Sequence, residues 1–154
     1  MQLTTSLINN IKSLYPQFKY EAGNDFSWNP SNDTIYYAVE HLNGLDQMLH
    51  ELAHALLDHR NFSKDIELIS LERDAWRYAK NELATKLEHK IQDSSIESHL
   101  DTYRDWLHKR STCPKCESTG LQQDSSHYSC ITCGQGWRVN DARSCGLRRY
   151  VIKK

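Results

Sequence analysis

The chain has 154 residues, 38% of them hydrophobic, with a mean hydropathy of −0.73, enough for one substantial core and one small appended module. No stretch of 18 apolar residues occurs, and residues 1–6 lack the charged-then-apolar pattern of a secretory leader, so we expect no membrane span and a cytoplasmic location. The formal charge of −1 conceals a division: residues 1–108 carry 10 Lys and Arg against 17 Asp and Glu, whereas residues 109–154 carry 9 against 3.

Leu3, Leu7, Ile11 and Leu14 recur at helical spacing before Pro16, which predicts a first helix over about 5–15. Three short aromatic or β-branched runs follow, at residues 18–20, 25–28 and 34–39, broken by Gly23-Asn24 and Asn29-Pro30-Ser31-Asn32. They predict a small antiparallel sheet. With residues 35–39 at its edge, the last strand offers free backbone groups to an extended peptide, although a covered edge satisfies the same pattern.

Leu45, Met48, Leu49, Leu52, Ala53 and Leu56 make 45–58 an amphipathic helix, with His50-Glu51-Leu52-Ala53-His54 at the border of its apolar stripe. Residues four apart share a helix face, so His50 and His54 can offer ring nitrogens to one Zn²⁺, while Glu51 can reach a metal-bound water as general base. This is the ligand spacing of zinc-dependent peptide hydrolysis. Two ordinary helix histidines beside a solvated Glu51 are the bland alternative.

A longer helix is predicted over about 65–90, capped by Ser63 or Asp65, with Leu68, Ile69, Ala75, Trp76, Ala79, Leu83 and Leu87 as its apolar stripe. Glu72 falls inside that stripe. A buried carboxylate without a partner is costly, and a Zn²⁺ ion shared with the histidine pair removes the cost. Asp74 lies on a less apolar face, and His59, five residues after His54, should point away from the pair. Glu72 therefore ranks ahead of Asp74, and Asp74 ahead of His59, as third ligand. Asp58, four after His54, can orient that imidazole or serve as an ordinary helix-end carboxylate. Ser94-Ser95-Ile96-Glu97 is a capping box opening a last helix, with Ile96, Leu100, Tyr103 and Leu107 inward, expected to pack on the first domain.

Cys113-Pro114-Lys115-Cys116 and Cys130-Ile131-Thr132-Cys133-Gly134 are two knuckles separated by 13 residues, the pattern of a closed, tetrahedral, structural zinc site. Cysteines paired in this way suit a reducing compartment, and Cys145 is expected to be a buried free thiol. Lys109, Arg110, Lys115, Arg138, Arg143, Arg148, Arg149, Lys153 and Lys154 mix with Tyr128, Trp137 and Tyr150 in a basic surface with aromatic platforms, which suits nucleic acid. Docking of an acidic protein is the alternative. The expected fold is α+β: a mainly helical, zincin-like metallopeptidase domain with a small N-terminal antiparallel sheet over 1–108, then a four-cysteine zinc ribbon with a basic tail over 109–154.

The strand Thr34-Ile35-Tyr36-Tyr37, the helix around His50 and His54, and the segment Glu72-Arg73-Asp74-Ala75-Trp76-Arg77-Tyr78-Ala79 resemble the ImmA/IrrE family of regulatory metallopeptidases. That family follows its histidine helix with Glu-x-x-Ala-x-x-Phe-Ala. The resemblance implies a catalytic zinc on His50, His54 and Glu72, with Glu51 as catalytic base and a protein substrate such as a transcriptional repressor. A second resemblance, to SprT-like proteases that act near DNA, joins an HExxH helix to a C-terminal zinc ribbon. Its third ligand is a histidine in a His-Gly segment, and no His-Gly occurs here. A non-catalytic adaptor, with a structural first zinc and a nucleic-acid-binding ribbon, is the alternative from another class.

Overall fold

The computed structural model describes residues 1–143 and 145–153; Lys154 of the basic tail lies outside them. The fold is α+β, with helices α1 (Thr5–Leu14), α2 (Gly44–Leu56), α3 (Asp65–Tyr78) and α4 (Asp93–Ser111). Strands β1 (Lys19–Ala22), β2 (Ser27–Asn29) and β3 (Thr34–Tyr37) form one sheet, and β4 (Leu121–Gln122), β5 (His127–Ser129), β6 (Gly136–Val139) and β7 (Arg149–Val151) another. Among the described residues no helix is long and apolar enough to cross a membrane.

Two compact units divide the chain, one formed by Met1–Arg60 with Leu71–Gln92, the other by Asn61–Ser70 with the chain from Asp93 onward. This differs from the expected division at 108/109. Helix α4 belongs with the ribbon rather than with the first domain, because Trp137 Nε1 donates to the Arg110 carbonyl at 2.9 Å and the Arg110 guanidinium is buried in the same unit.

In the first unit, Thr4 caps α1 by accepting from the Leu7 amide, and Ile8 and Ile11 are its buried face. The sheet is mixed, not antiparallel: its order is β1-β3-β2, with β1 parallel and β2 antiparallel to β3. Strand β3 is therefore central, and the edges are β1 and β2 rather than residues 35–39. Composition gives the reason. Thr34, Ile35 and Tyr37 are all buried, so the most apolar strand takes the covered middle and the polar β1 and β2 flank it.

Helix α2 packs against β2 and β3 and buries Leu45, Met48, Leu49, Leu52 and Ala53 completely. It ends where Asp58 takes the left-handed conformation (φ 52°), with the His59 amide bonded back to the His54 carbonyl and the Asp58 amide to that of Ala55. This is the Schellman closure. Helix α3 runs on into a π-helical turn, Ala79–Ala84, whose wider winding carries both Leu83 and Ala84 inward. The 3.6-residue rhythm slips there, and Leu87, expected inward, is only half-buried. A second Schellman closure follows, with Glu88 left-handed (φ 52°) and the His89 amide bonded to the Ala84 carbonyl. The His89 ring then pairs with Asp46 of α2.

In the second unit the sheet order is β4-β5-β6-β7, antiparallel throughout. Its core is Cys113, Tyr128, Cys130, Trp137 and Val139, with the Tyr128 and Trp137 rings stacked at 5.6 Å. Gly120 is required at that stack, since a Cβ there would lie 2.3 Å from Trp137 Cη2. Asp65 does not cap α3. It is buried, accepting from Arg110 Nε at 2.6 Å and from the Tyr128 hydroxyl at 2.7 Å, while its amide donates to Gln122 Oε1. Arg110 also donates to the carbonyls of Asn140 and Ser125.

Candidate metal centres

Two groups of metal-ligating side chains converge, and they are the two expected. His50, His54 and Glu72 form one, Cys113, Cys116, Cys130 and Cys133 the other, with the ligand atoms of each group within 4.8 Å of one another.

At the first, α2 presents His50 and His54 one turn apart, and α3 supplies Glu72. All three are nearly covered, at 5%, 9% and 7% exposure, so the carboxylate does turn inward. His50 Nε2 lies 2.9 Å from Glu72 Oε2 and 3.1 Å from His54 Nε2, and His54 Nε2 lies 3.4 Å from Glu72 Oε1. Burial by itself would raise the Glu72 carboxyl, but hydrogen bonds and attraction from both imidazoles outweigh it and hold the group well below the usual carboxylate range.

The donor set fits a zinc ion. Ligand bonds of about 2.0–2.1 Å in a tetrahedron place neighbouring donors about 3.3 Å apart, close to these separations. Two imidazole nitrogens aimed at one point beside a carboxylate call for a cation or proton between them, and mixed N and O donors suit Zn²⁺. Among the described residues, three side chains would hold the ion.

Glu51 is half-buried beside these ligands, and its Oε2 accepts from the Trp28 amide of β2 at 2.7 Å. Burial is the main reason that its carboxyl is pushed up to about 7; Glu72 raises it further, while His54 and the Trp28 amide act in the opposite direction.

Three contributors were not legible as site residues. Trp28 holds Glu51 through its amide and the His59 carbonyl through its indole N–H at 3.2 Å. Trp76, one turn after Glu72 on α3, stacks on the His50 ring at 4.1 Å. His59, expected to point away, places Nδ1 2.9 Å from His54 Nδ1. The helical projection failed because the left-handed Asp58 reverses the chain before His59. The other candidates fall away: half-buried Asp74 pairs with Arg73, and Asp58 pairs with Arg60 rather than with His54.

At the second centre Cys113 Sγ lies 3.7 Å from Cys133 Sγ, and Cys116 Sγ 3.5 Å from Cys130 Sγ, all four being free thiols. Zinc–sulfur bonds of about 2.3 Å imply sulfur–sulfur edges of about 3.8 Å, so the set fits a closed four-thiolate site. The knuckles repeat one backbone pattern. Glu117 and Gly134 are both left-handed (φ 62° and 73°), and their amides bond to the carbonyls of Cys113 and Cys130. The amides of Cys113 and Cys130 in turn bond to the carbonyls of Ser118 and Gln135.

The surface around the ribbon differs from expectation. Tyr128 and Trp137 are core residues rather than platforms, Arg110 is buried rather than solvated, and Cys145 is exposed rather than buried. Tyr150 is 40% exposed, with Arg138 over its ring at 4.6 Å.

No family model, curated protein or solved structure matches the chain.

Proposed function

We propose that the chain is a zinc-dependent endopeptidase of the HExxH-plus-glutamate type, in a zincin-like first unit. The observation that supports this best is the convergence of His50, His54 and Glu72 on one point, with Glu51 beside them. The bound metal would supply a Lewis acid that polarises the scissile carbonyl and acidifies a water. Glu51, oriented by the Trp28 amide, would act as the base that takes a proton from the attacking water and returns it to the leaving amine. His59 holds the His54 ring through Nδ1, so that Nε2 faces the metal position. Strand β2 is one of the two sheet edges, and its Trp28 amide is engaged by Glu51, which ties the catalytic carboxylate to the sheet. A glutamate as third donor supports the ImmA/IrrE-like reading, with a repressor-like protein substrate, over the SprT-like one.

The test is peptide cleavage by the zinc-loaded full chain on a mixed peptide library, read by mass spectrometry. Cleavage that disappears in Glu51→Gln, with two zinc ions per chain retained, is the expected result. A wild-type chain without cleavage, or an equally active Glu51→Gln chain, would overturn the assignment in favour of a structural first zinc.

A further inference from the structure

Two neighbouring cavities on the second unit lie beside the last turns of α4. One cavity of about 350 Å³ is lined by Thr102, Tyr103, Asp105, Trp106, Lys109 and Arg143. Another, of about 340 Å³, is lined by His108, Lys109, Thr112, Leu147 and Arg149. Lys109 borders both, so the two cavities lie on either side of one lysine near the end of α4. Exposed Arg143 lies over two aromatic rings, its guanidinium carbon 5.6 Å from the Tyr103 centroid and 5.9 Å from that of Trp106. Arg110 lies over the Trp106 ring as well, at 4.8 Å. A guanidinium supported on aromatic rings is a flat, cationic shelf, the surface on which an unstacked base settles.

We infer that this pair of cavities binds single-stranded nucleic acid, with one unstacked base received against Arg143 and Tyr103 and the adjoining phosphates following Lys109 and Arg149. Each cavity falls in the lower part of the small-ligand range of about 300–1,000 Å³, a size for a base and its sugar rather than for a duplex. The second unit as a whole is nearly balanced, with 11 Lys and Arg against 9 Asp and Glu, so its attraction for a polyanion is local to the side that carries Lys109, Arg143 and Arg149. Asp105 adds an acceptor to the lining. It lines the same cavity as Lys109 and Arg143, and a base can use its carboxylate as an acceptor for N–H groups while the cations take the phosphates, a use that an acidic peptide does not make of it. Stacking explains the aromatic floor, which a docked carboxylate would not need. The inference stands on α4 and the ribbon alone and does not depend on the peptidase reading.

The experiment is fluorescence anisotropy of a labelled, mixed-sequence DNA single strand of about 15 nucleotides, titrated with the zinc-loaded full chain. Saturable binding is expected, with a logarithmic salt slope of roughly −0.7 for each phosphate neutralised. Arg143→Glu and Tyr103→Ala should each weaken binding about tenfold, the scale of one lost stacking contact. Arg104→Glu makes the same charge change on α4 outside the lining and should stay within about twofold. Zinc content and circular dichroism check that each variant is folded, and Lys109→Gln, a milder change, should still weaken binding if Arg143→Glu does not fold. The inference is overturned by any of four results: no saturable binding, equal losses in Arg143→Glu and Arg104→Glu, tighter binding of the matching duplex, or displacement of the strand by polyglutamate at equal charge.

Discussion

His59 lies beyond the end of the HExxH helix, yet its Nδ1 is 2.9 Å from Nδ1 of His54. With a metal on His54 Nε2, the remaining ring proton of His54 would sit on Nδ1 and be donated to His59 Nδ1, which would have to be neutral to accept it. Burial, and then the neighbouring His54, push the His59 pKa down and keep it neutral. His59→Ala should lower zinc affinity at the first centre by about 10–100-fold, the usual loss when an orienting partner of a metal-bound histidine is removed. His59→Asn keeps an acceptor there and should recover part of it. Competition with a chromophoric chelator measures both; equal affinity in His59→Ala and wild type removes the orienting role.

The pH response of the metal-free chain should carry the sign of Glu51. Its folded pKa of about 7 lies above its ordinary value of 4.5, so its favourable contribution is complete below pH 4.5 and is lost as pH rises through 7. Glu72 has the opposite sign, contributing above its ordinary value and losing that contribution only in strong acid. Glu51→Gln should therefore stabilise the apo protein more at pH 8 than at pH 5, by up to about 3 kcal/mol. Thermal melts of both apo proteins at the two pH values give the difference, and a gain independent of pH contradicts the assignment.

The buried Asp65–Arg110 pair, with Tyr128 as its third member, should dominate the stability of the second unit. Removing one partner leaves the other charge buried, so Asp65→Ala is expected to cost about 3–5 kcal/mol. Tyr128→Phe removes one hydrogen bond to the charged carboxylate and should cost roughly 1.5–3 kcal/mol. Urea denaturation of the zinc-loaded protein, followed by near-ultraviolet dichroism, separates the two.

The repeated knuckle gives a prediction of the opposite sign. Glu117 occupies the left-handed position that Gly134 fills in the other knuckle. Glu117→Gly should raise stability by about 1 kcal/mol, and Gly134→Glu should lower it by a similar amount. Resistance of the ribbon to chelator reads both.

Stripping zinc should unfold the ribbon. Three of the four cysteines belong to or border its small core, so the metal supplies much of the folding free energy. Loss of near-ultraviolet dichroism in step with release of one zinc equivalent is the expected course, and an unchanged spectrum would show that the core stands without the ion.

What the sequence disclosed was whatever follows from spacing within one element. His50 and His54 lie on one face by helical geometry, Glu72 betrayed itself as a carboxylate in an apolar stripe, and the cysteine knuckles carry their own geometry. What escaped depends on chain reversal or on distant partners. His59 returns to His54 only through the turn at Asp58, and Trp28 reaches Glu51 only because β2 lies at an edge of the sheet. Arg110 and Tyr128 looked like surface groups because nothing local identifies Asp65, dozens of residues earlier, as their partner. The central place of β3 was foreshadowed by its apolar composition, but the adjacency of consecutive strands argued the other way.

Asp58 and Glu88 each carry a helix end into a left-handed turn, and each is followed by a histidine whose ring finds a partner on α2. These two acidic residues therefore act as switches of handedness, and their importance lies in the path of the main chain rather than in their charge. Asparagine or glycine at position 58 should keep the following imidazole on target, while valine or isoleucine, which resist that conformation, would send it elsewhere with every metal-binding side chain intact. The vulnerability of this pocket thus extends to a surface residue that none of its ligands touches.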